Sequence, residues 1–236
     1  MTLIVLPSLT QGTDEWLEQR RGMVTASVVG QLITPSTIKP ASNDKSRALV
    51  AQLVAERITG YVDPVYVSDD MLRGHEDEPR AVAKYEEWRG VVVDHVGFMV
   101  REFTVDERTF RIGYSPDGLV GDDGLIEVKS RRQKKQLTTV LDGEVPAENM
   151  AQIQCGLLIS GRAWCDYLSY SGGMPLYPIR VEPDDRWFKA IKDTVAQFEA
   201  TAEQMVAKYE AAVVGLPMTE RVTELDILLP DVKDAA

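Results

Sequence analysis

The stretch Gly113-Tyr-Ser-Pro-Asp117-Gly118, followed by Leu125-Ile-Glu127-Val-Lys129, holds the residue types best suited to chemistry in this sequence. Asp117 reads as part of a turn entering a strand, with Glu127 and Lys129 on the strand that follows. Side chains two apart on a strand share a face, so Glu127 and Lys129 point together and Val128 points away into the core. An Asp122-Asp-Gly124 hairpin turn folds Asp117 back beside them. Two carboxylates on neighbouring strands make a hard-oxygen pocket of the kind magnesium prefers, with several waters retained. Such a metal activates water and neutralises charge at a phosphodiester. An ammonium at Lys129 stabilises the charge that develops there. The bland alternative is a strand-borne Glu127–Lys129 salt bridge, worth under about 1 kcal/mol if exposed.

The surroundings narrow the choice. Pro116 sets the turn before Asp117, and Gly118 permits close approach of a backbone or phosphate. Lys129-Ser-Arg-Arg-Gln-Lys-Lys135 carries five basic residues in seven, which places cations where a nucleic-acid backbone needs them. Upstream, Gly74-His-Glu-Asp-Glu78 supplies a further acid on a predicted helix, with Glu76 and Asp77 as alternatives to Glu78.

These residues need a scaffold. Thr13 caps a short helix with Trp16 facing inward, and Thr25-Ala-Ser27 opens a second, with a plain cap as the alternative role for Ser27. A third helix spans Asp44 to Thr59 and stops at Gly60. A long one covers Asp69 to Trp88, kinked or restarted at Pro79. Short β-rich runs follow at Val91 to Val100, Phe110 to Tyr114, Leu119 to Val120 and Leu125 to Val128. A helix over Ala147 to Ile159 comes next, then strands at Trp164 to Tyr170 and Leu176 to Val181. A last helix spans Asp184 to Val213, with an apolar stripe at Trp187, Ile191, Val195, Phe198, Ala202, Met205 and Tyr209. This order predicts an α/β or α+β fold with a central mixed sheet flanked by helices. We read one domain over residues 1–236, with a core at about 12–182, the long helix at about 184–213 and an acidic tail at 220–236.

Composition sets limits. The net charge of −11 disfavours nonspecific binding to nucleic acid, but a focused basic strip can still bind it locally. Only two cysteines and two histidines occur, which excludes a four-cysteine cluster and a histidine-rich zinc centre within the chain. Cys155, Cys165 and His95 read as packed structural residues. There is no apolar run of about eighteen residues and hence no membrane span. The apolar start of the chain lacks a basic flank, so it reads as a buried first strand or staple and not as a signal peptide.

Five pieces, in order, resemble the λ-exonuclease family of YqaJ-type viral recombinase exonucleases, within the PD-(D/E)xK nuclease superfamily with its restriction-endonuclease-like core. They are Trp16 to Ser27, Gly74 to Glu78, Ser115-Pro-Asp117-Gly, Glu127-Val-Lys129 and Met150-Ala-Gln152-Ile-Gln154. The resemblance implies a magnesium-dependent 5′→3′ exonuclease on double-stranded DNA ends, with manganese as a substitute ion. It would leave 3′ overhangs for homologous recombination. Implied catalytic residues are Glu78, Asp117, Glu127, Lys129 and Gln152, and implied metal contacts are Glu78, Asp117, Glu127 and Val128. Gln154 competes with Gln152, but two residues along a helix is a rotation of about 200°, so both do not face one site. Arg20, Ser27 and Ser115 match a 5′-phosphate pocket, and Arg131 and Arg132 stand where DNA passes. The family pattern further implies a ring-shaped homotrimer, a single-strand annealing protein as partner, and a phage or prophage protein in a bacterial cytoplasm. Other readings are an endonuclease of the same superfamily or a nonenzymatic DNA-binding module.

Overall fold

The computed structural model describes residues 2–64 and 68–221. In chain order the elements are β1 (Leu3–Leu6), α1 (Asp14–Arg20), α2 (Ala26–Val29), β2 (Ile33–Thr34), β3 (Lys39–Pro40), α3 (Asp44–Thr59), α4 (Asp69–Arg89), β4 (Val93–Asp94), β5 (Phe98–Val105), β6 (Arg108–Tyr114), β7 (Gly118–Val120), β8 (Gly124–Ser130), α5 (Gln133–Asp142), α6 (Ala147–Ser160), β9 (Trp164–Tyr170), β10 (Tyr177–Val181) and α7 (Asp185–Ala212). Positions 222–236, most of the acidic tail, lie outside the described residues.

Local chemistry explains the helix ends. The Thr13 hydroxyl accepts the Trp16 N–H and starts α1. Asn43 and Ser46 form a reciprocal capping box at α3, which ends at Gly60 with a left-handed φ of 65°. Such pairs satisfy backbone donors that the first turn leaves free. The α4 helix is one unbroken run of 21 residues with Pro79 inside it, so the expected restart does not occur. Proline removes one donor there, while Ala81, Val82 and Tyr85 are held by a buried cluster with Ile126 and Val128 of β8.

The expected mixed sheet is present, with strand order β10-β9-β8-β7-β4. Strands β8 and β9 are parallel because α5 and α6 cross between them, and the remaining pairs are antiparallel. A separate antiparallel sheet has the order β1-β5-β6. The run Val91 to Val100 is therefore not one strand: it divides between the two sheets, turning at Gly97, where a Cβ would lie 1.8 Å from the Leu9 carbonyl oxygen. The first strand is not buried. As a sheet edge, β1 leaves Leu3, Ile4 and Val5 about 40% exposed (36%, 40% and 42%).

The hairpin turn between β7 and β8 is Gly121-Asp122-Asp123, with Gly121 at φ 53°. Gly124 instead opens β8, where a Cβ would collide with the Trp164 ring at 2.2 Å. The α5 helix has no counterpart in the sequence pattern, because the basic run that begins it has no apolar period. A main core lies between the sheets, α6 and α7, and contains Leu125, Ile153, Tyr167 and the α7 stripe from Trp187 to Ala202. Tyr209, at the end of that stripe, is 44% exposed, so the last turns of α7 leave the core.

Candidate active site

Strand β8 runs between β7 and β9 and carries Glu127 and Lys129 on one face, as alternation requires. The Lys129 ammonium lies 2.5 Å from Glu127 Oε1. Glu127 is fully buried, and its Oε2 has no hydrogen-bond partner. Asp117 precedes β7, and its Oδ2 accepts the Val128 N–H at 2.6 Å. The hairpin thus brings Asp117 to the Glu127–Lys129 strand. The Val128 side chain packs beneath α4. Its N–H and C=O leave the strand on the same side, so the carbonyl also faces the Asp117 edge. Glu78, on α4, completes this side of a cleft of about 420 Å³ that Asp117, Val128, Lys129 and Gln152 also line.

Electrostatics bind these groups into one unit. Burial pushes the Asp117 carboxyl well above the usual range; Glu127 and Glu78 push it further, against Lys129 and the Val128 N–H. Glu78 is also raised, first by burial and next by Glu127, with His75, Lys129 and His95 opposing. Burial alone would lower Lys129, but Glu127 and Asp117 outweigh it and hold the amine charged. Crowded acids that resist ionisation, together with one buried oxygen lacking any partner, describe a site short of positive charge.

A hard divalent cation fits that donor set. Among the described residues, however, no three His, Cys, Asp or Glu side chains stand close enough together to hold one ion. Magnesium commonly takes only one or two protein carboxylates and fills the remaining positions with water and phosphate oxygens. The Asp117–Glu127 pair and the Val128 carbonyl suit that pattern, and Glu78 also lines the cleft.

Arg20, Thr25, Ser27 and Ser115 line the same cleft, a guanidinium ringed by hydroxyls. Arg20 Nη2 donates to Thr25 Oγ1 at 3.2 Å and Ser27 Oγ at 3.0 Å, and the two hydroxyls lie 3.1 Å apart. The Arg20 guanidinium stacks 4.0 Å from the Trp16 ring centroid, and the Trp16 indole N–H donates to Ser115 Oγ at 3.0 Å. Burial lowers the Arg20 pKa to about 10 against the opposing pull of Glu56, and the group stays charged at neutral pH. Two expectations change here. Trp16 lines the cleft and does not face the core. Ser27 is not the cap of α2, since Thr25 holds that position.

Other expected residues sort clearly. Gln152 lines the cleft, whereas buried Gln154 donates to the Glu182 carbonyl and accepts the Asp184 N–H, tying α6 to the start of α7. Asp77 is buried and accepts from Ser130, and Glu76 is exposed. Arg131 turns inward to the Tyr167 hydroxyl and Asn149. Arg132 reaches Asp70 on the cleft rim at 2.7 Å, and Lys135 pairs with Glu148. Much of the basic strip is therefore already neutralised by partners. Both cysteines are buried and free, but His95 is exposed, contrary to the expectation of a packed residue. Trp16, Thr25 and His75 also line the cleft, beyond the residues that the sequence marks for the site. For Trp16 and Thr25 the available signal was helical spacing from Arg20 and a hydroxyl two residues before Ser27.

A sequence model of the YqaJ-like viral recombinase domain matches residues 15–163, a span holding every one of these cleft residues from Trp16 to Gln152. The chain belongs to the YqaJ-like viral recombinase family. Among solved structures, this YqaJ-like chain matches an alkaline exonuclease, LHK-Exo, from Laribacter hongkongensis, at 32% identity and a TM-score of 0.75. The match covers 87% of this chain and 100% of that one, and a dAMP complex of the same protein matches equally. A phage-related exonuclease from Haemophilus somnus 129PT shares the fold at 14% identity and a TM-score of 0.58, covering 79% of this chain and 96% of that one. Comparison with curated proteins returned no match.

Proposed function

We propose that this chain, an exonuclease of the YqaJ-like family, degrades double-stranded DNA from 5′-phosphorylated ends in the 5′→3′ direction with magnesium, leaving 3′ single-stranded overhangs for recombination. The observation that carries the reading is that Glu78, Asp117 and Lys129 line one cleft with Arg20, Ser27 and Ser115, while buried Glu127 holds Lys129 from behind. A terminal phosphate held at Arg20, Ser27 and Ser115 sets the first phosphodiester linkage beside Asp117, Glu127 and Lys129. An arginine fork and hydroxyl donors suit a phosphate dianion.

Asp117, Glu127 and the Val128 carbonyl would hold magnesium, or manganese in its place, with Glu78 assisting. When bound, the ion supplies positive charge at the scissile phosphate and lowers the proton affinity of water. Lys129 keeps its proton and donates toward the phosphate oxygens, where developing negative charge is greatest. Glu127 orients that ammonium. Gln152, facing the cleft from α6, supports the attacking water. The dAMP complex of the Laribacter relative is in keeping with a nucleoside monophosphate product. Arg132 and Arg131 guide the backbone once released from their protein partners. The family pattern extends the proposal to a ring-shaped homotrimer on duplex ends that hands its 3′ strand to a single-strand annealing protein. Among the described residues no helix is long and apolar enough to cross a membrane.

The test is digestion of end-labelled linear duplex, with and without 5′ phosphate, in magnesium and in EDTA. We expect early release of the 5′ label as mononucleotide in magnesium, slower attack on 5′-hydroxyl ends, retention of the 3′ label on progressively shortened strands and no cutting in EDTA. Cleavage of closed circular duplex, or loss of the 3′ label first, would overturn the reading.

A further inference from the structure

The turn between α1 and α2 carries Arg20, and it is held from behind by charged side chains that do not line the cleft. Gly22 sits at the centre of that turn with a left-handed φ of 63°. Its N–H donates to Glu56 Oε2 at 2.8 Å, and its carbonyl accepts from Arg57 Nε at 2.6 Å. The two remaining nitrogens of Arg57 form a fork on Glu199 of α7, at 2.6 and 2.7 Å. Glu56 is buried, and its second oxygen accepts from Gln52 at 2.9 Å. A Cβ at position 22 would lie 2.3 Å from Arg57 Cγ and 3.1 Å from the Leu53 carbonyl, so α3 presses directly on the turn. Within the turn, Met23 N–H closes onto the Arg20 carbonyl at 3.0 Å.

We propose that Arg57 and Glu199, together with Glu56, are positioning residues for the 5′-phosphate pocket, fixing the α1–α2 turn so that Arg20 is set to receive a terminal phosphate. This rests on the reading above that Arg20, Ser27 and Ser115 take that phosphate. The physical reason is preorganisation. Arg20 lies two residues from Gly22, and a turn free to rotate would carry the guanidinium away from Thr25 and Ser27, so binding would have to order it first. A planar fork can hold a backbone carbonyl and a carboxylate at once, which a lysine ammonium at the same place does not reproduce. Glu199 lies beyond the residues 15–163 of the family match, so the long C-terminal helix takes on a role in end selection besides packing.

The experiment is steady-state digestion by the full chain of duplex with 5′-phosphate or 5′-hydroxyl ends, comparing wild type with Arg20→Ala, Glu199→Gln, Arg57→Lys and Glu203→Gln. The last breaks the Arg108–Glu203 pair, another α7 contact with no link to Gly22. We expect Glu199→Gln and Arg57→Lys each to raise KM for phosphorylated ends about tenfold with kcat within about twofold. Hydroxyl ends should be cut as before, and Glu203→Gln should change neither substrate. Should Glu199→Gln fail to fold, as judged by its melting transition, Arg57→Lys carries the test. Equal loss on both kinds of end, or a fall in kcat with end preference intact, overturns the proposal. If Arg20→Ala abolishes end preference while Glu199→Gln and Arg57→Lys keep it, this proposal fails and the pocket reading stands. A wild type with no end preference overturns both.

Discussion

Two buried acids sit on adjacent parallel strands and have opposite fates. Glu127 of β8 pairs in register with Tyr167 of β9, and one step back Ile126 pairs with Asp166. Asp166, on the α4 side, is fully served: Arg180 bonds both oxygens at 2.7 and 2.9 Å, the Tyr85 hydroxyl donates at 2.7 Å, and Arg89 stands 3.6 Å away. Arg180 also stacks on Trp164. Burial alone would raise Asp166, but Arg180, Tyr85 and Arg89 outweigh it and hold it below its ordinary value. The Tyr85 hydroxyl is pushed up to about 12, by burial first and Asp166 next. Glu127 has a single cation on one oxygen and nothing on the other. A buried charge whose every lone pair is answered ties the fold together, whereas one left partly unanswered retains capacity for a ligand. The same burial therefore answers every oxygen of the acid on one strand and leaves one oxygen unanswered on its neighbour.

The contrast can be broken by mutation, and the largest effect should come from its reactive half. Glu127→Gln should slow cleavage by about a thousandfold or more, the scale of losing a key electrostatic group. Duplex binding and the melting temperature should stay near wild type, because losing the Lys129 pair is offset by relief of the repulsion that Glu127 exerts on Asp117 and Glu78. A folded Glu127→Gln enzyme with near-normal rate would remove Glu127 from the chemistry. Asp166→Asn should do the reverse and cost about 2–4 kcal/mol of stability, since it strands Arg180 and breaks a buried pair. Its cleavage rate per folded molecule should hold, and unchanged urea unfolding would end the comparison.

A smaller effect sharpens the same distinction on α6. Gln154→Ala should lose about 1–2 kcal/mol by leaving the Glu182 carbonyl and the Asp184 N–H unbonded, with rate intact. Gln152→Ala should melt normally and cut about tenfold more slowly. The smallest effect is a pH dependence. The Asp166 pKa is lower in the folded chain than in the unfolded one, so its stabilisation is fully present above the ordinary aspartate range. It fades as pH falls and is gone once the folded-state carboxyl protonates. Acid unfolding of Asp166→Asn should therefore start from a lower stability and show a shallower decline than wild type over that range.

Much of the site could be read in one dimension because its geometry is local. Strand alternation sets Glu127 against Lys129, and a tight hairpin brings Asp117 to the Val128 N–H, eleven residues away. Helix caps at Thr13 and Asn43 and the glycine stop at Gly60 act within a turn of the chain. Helical rotation allows only one of Gln152 and Gln154 at the site, the family resemblance points to Gln152, and Gln152 is the one at the cleft.

What the chain order left open was decided by distance. Trp16 looked like a core residue, and it became a cleft wall because Ser115, 99 positions later, receives its indole N–H. Arg131 looked like a free cation, and it points inward because Tyr167 and Asn149 lie beside it in space at separations of 36 and 18. The amino-acid sequence by itself determined the shared face of Glu127 and Lys129, the capped helices and the hairpin, since each rests on periodicity or contacts spanning a few residues. Only the tertiary structure decided which charges find partners and which stay unanswered, because burial and hydrogen bonding are properties of neighbours that the chain brings together from far apart.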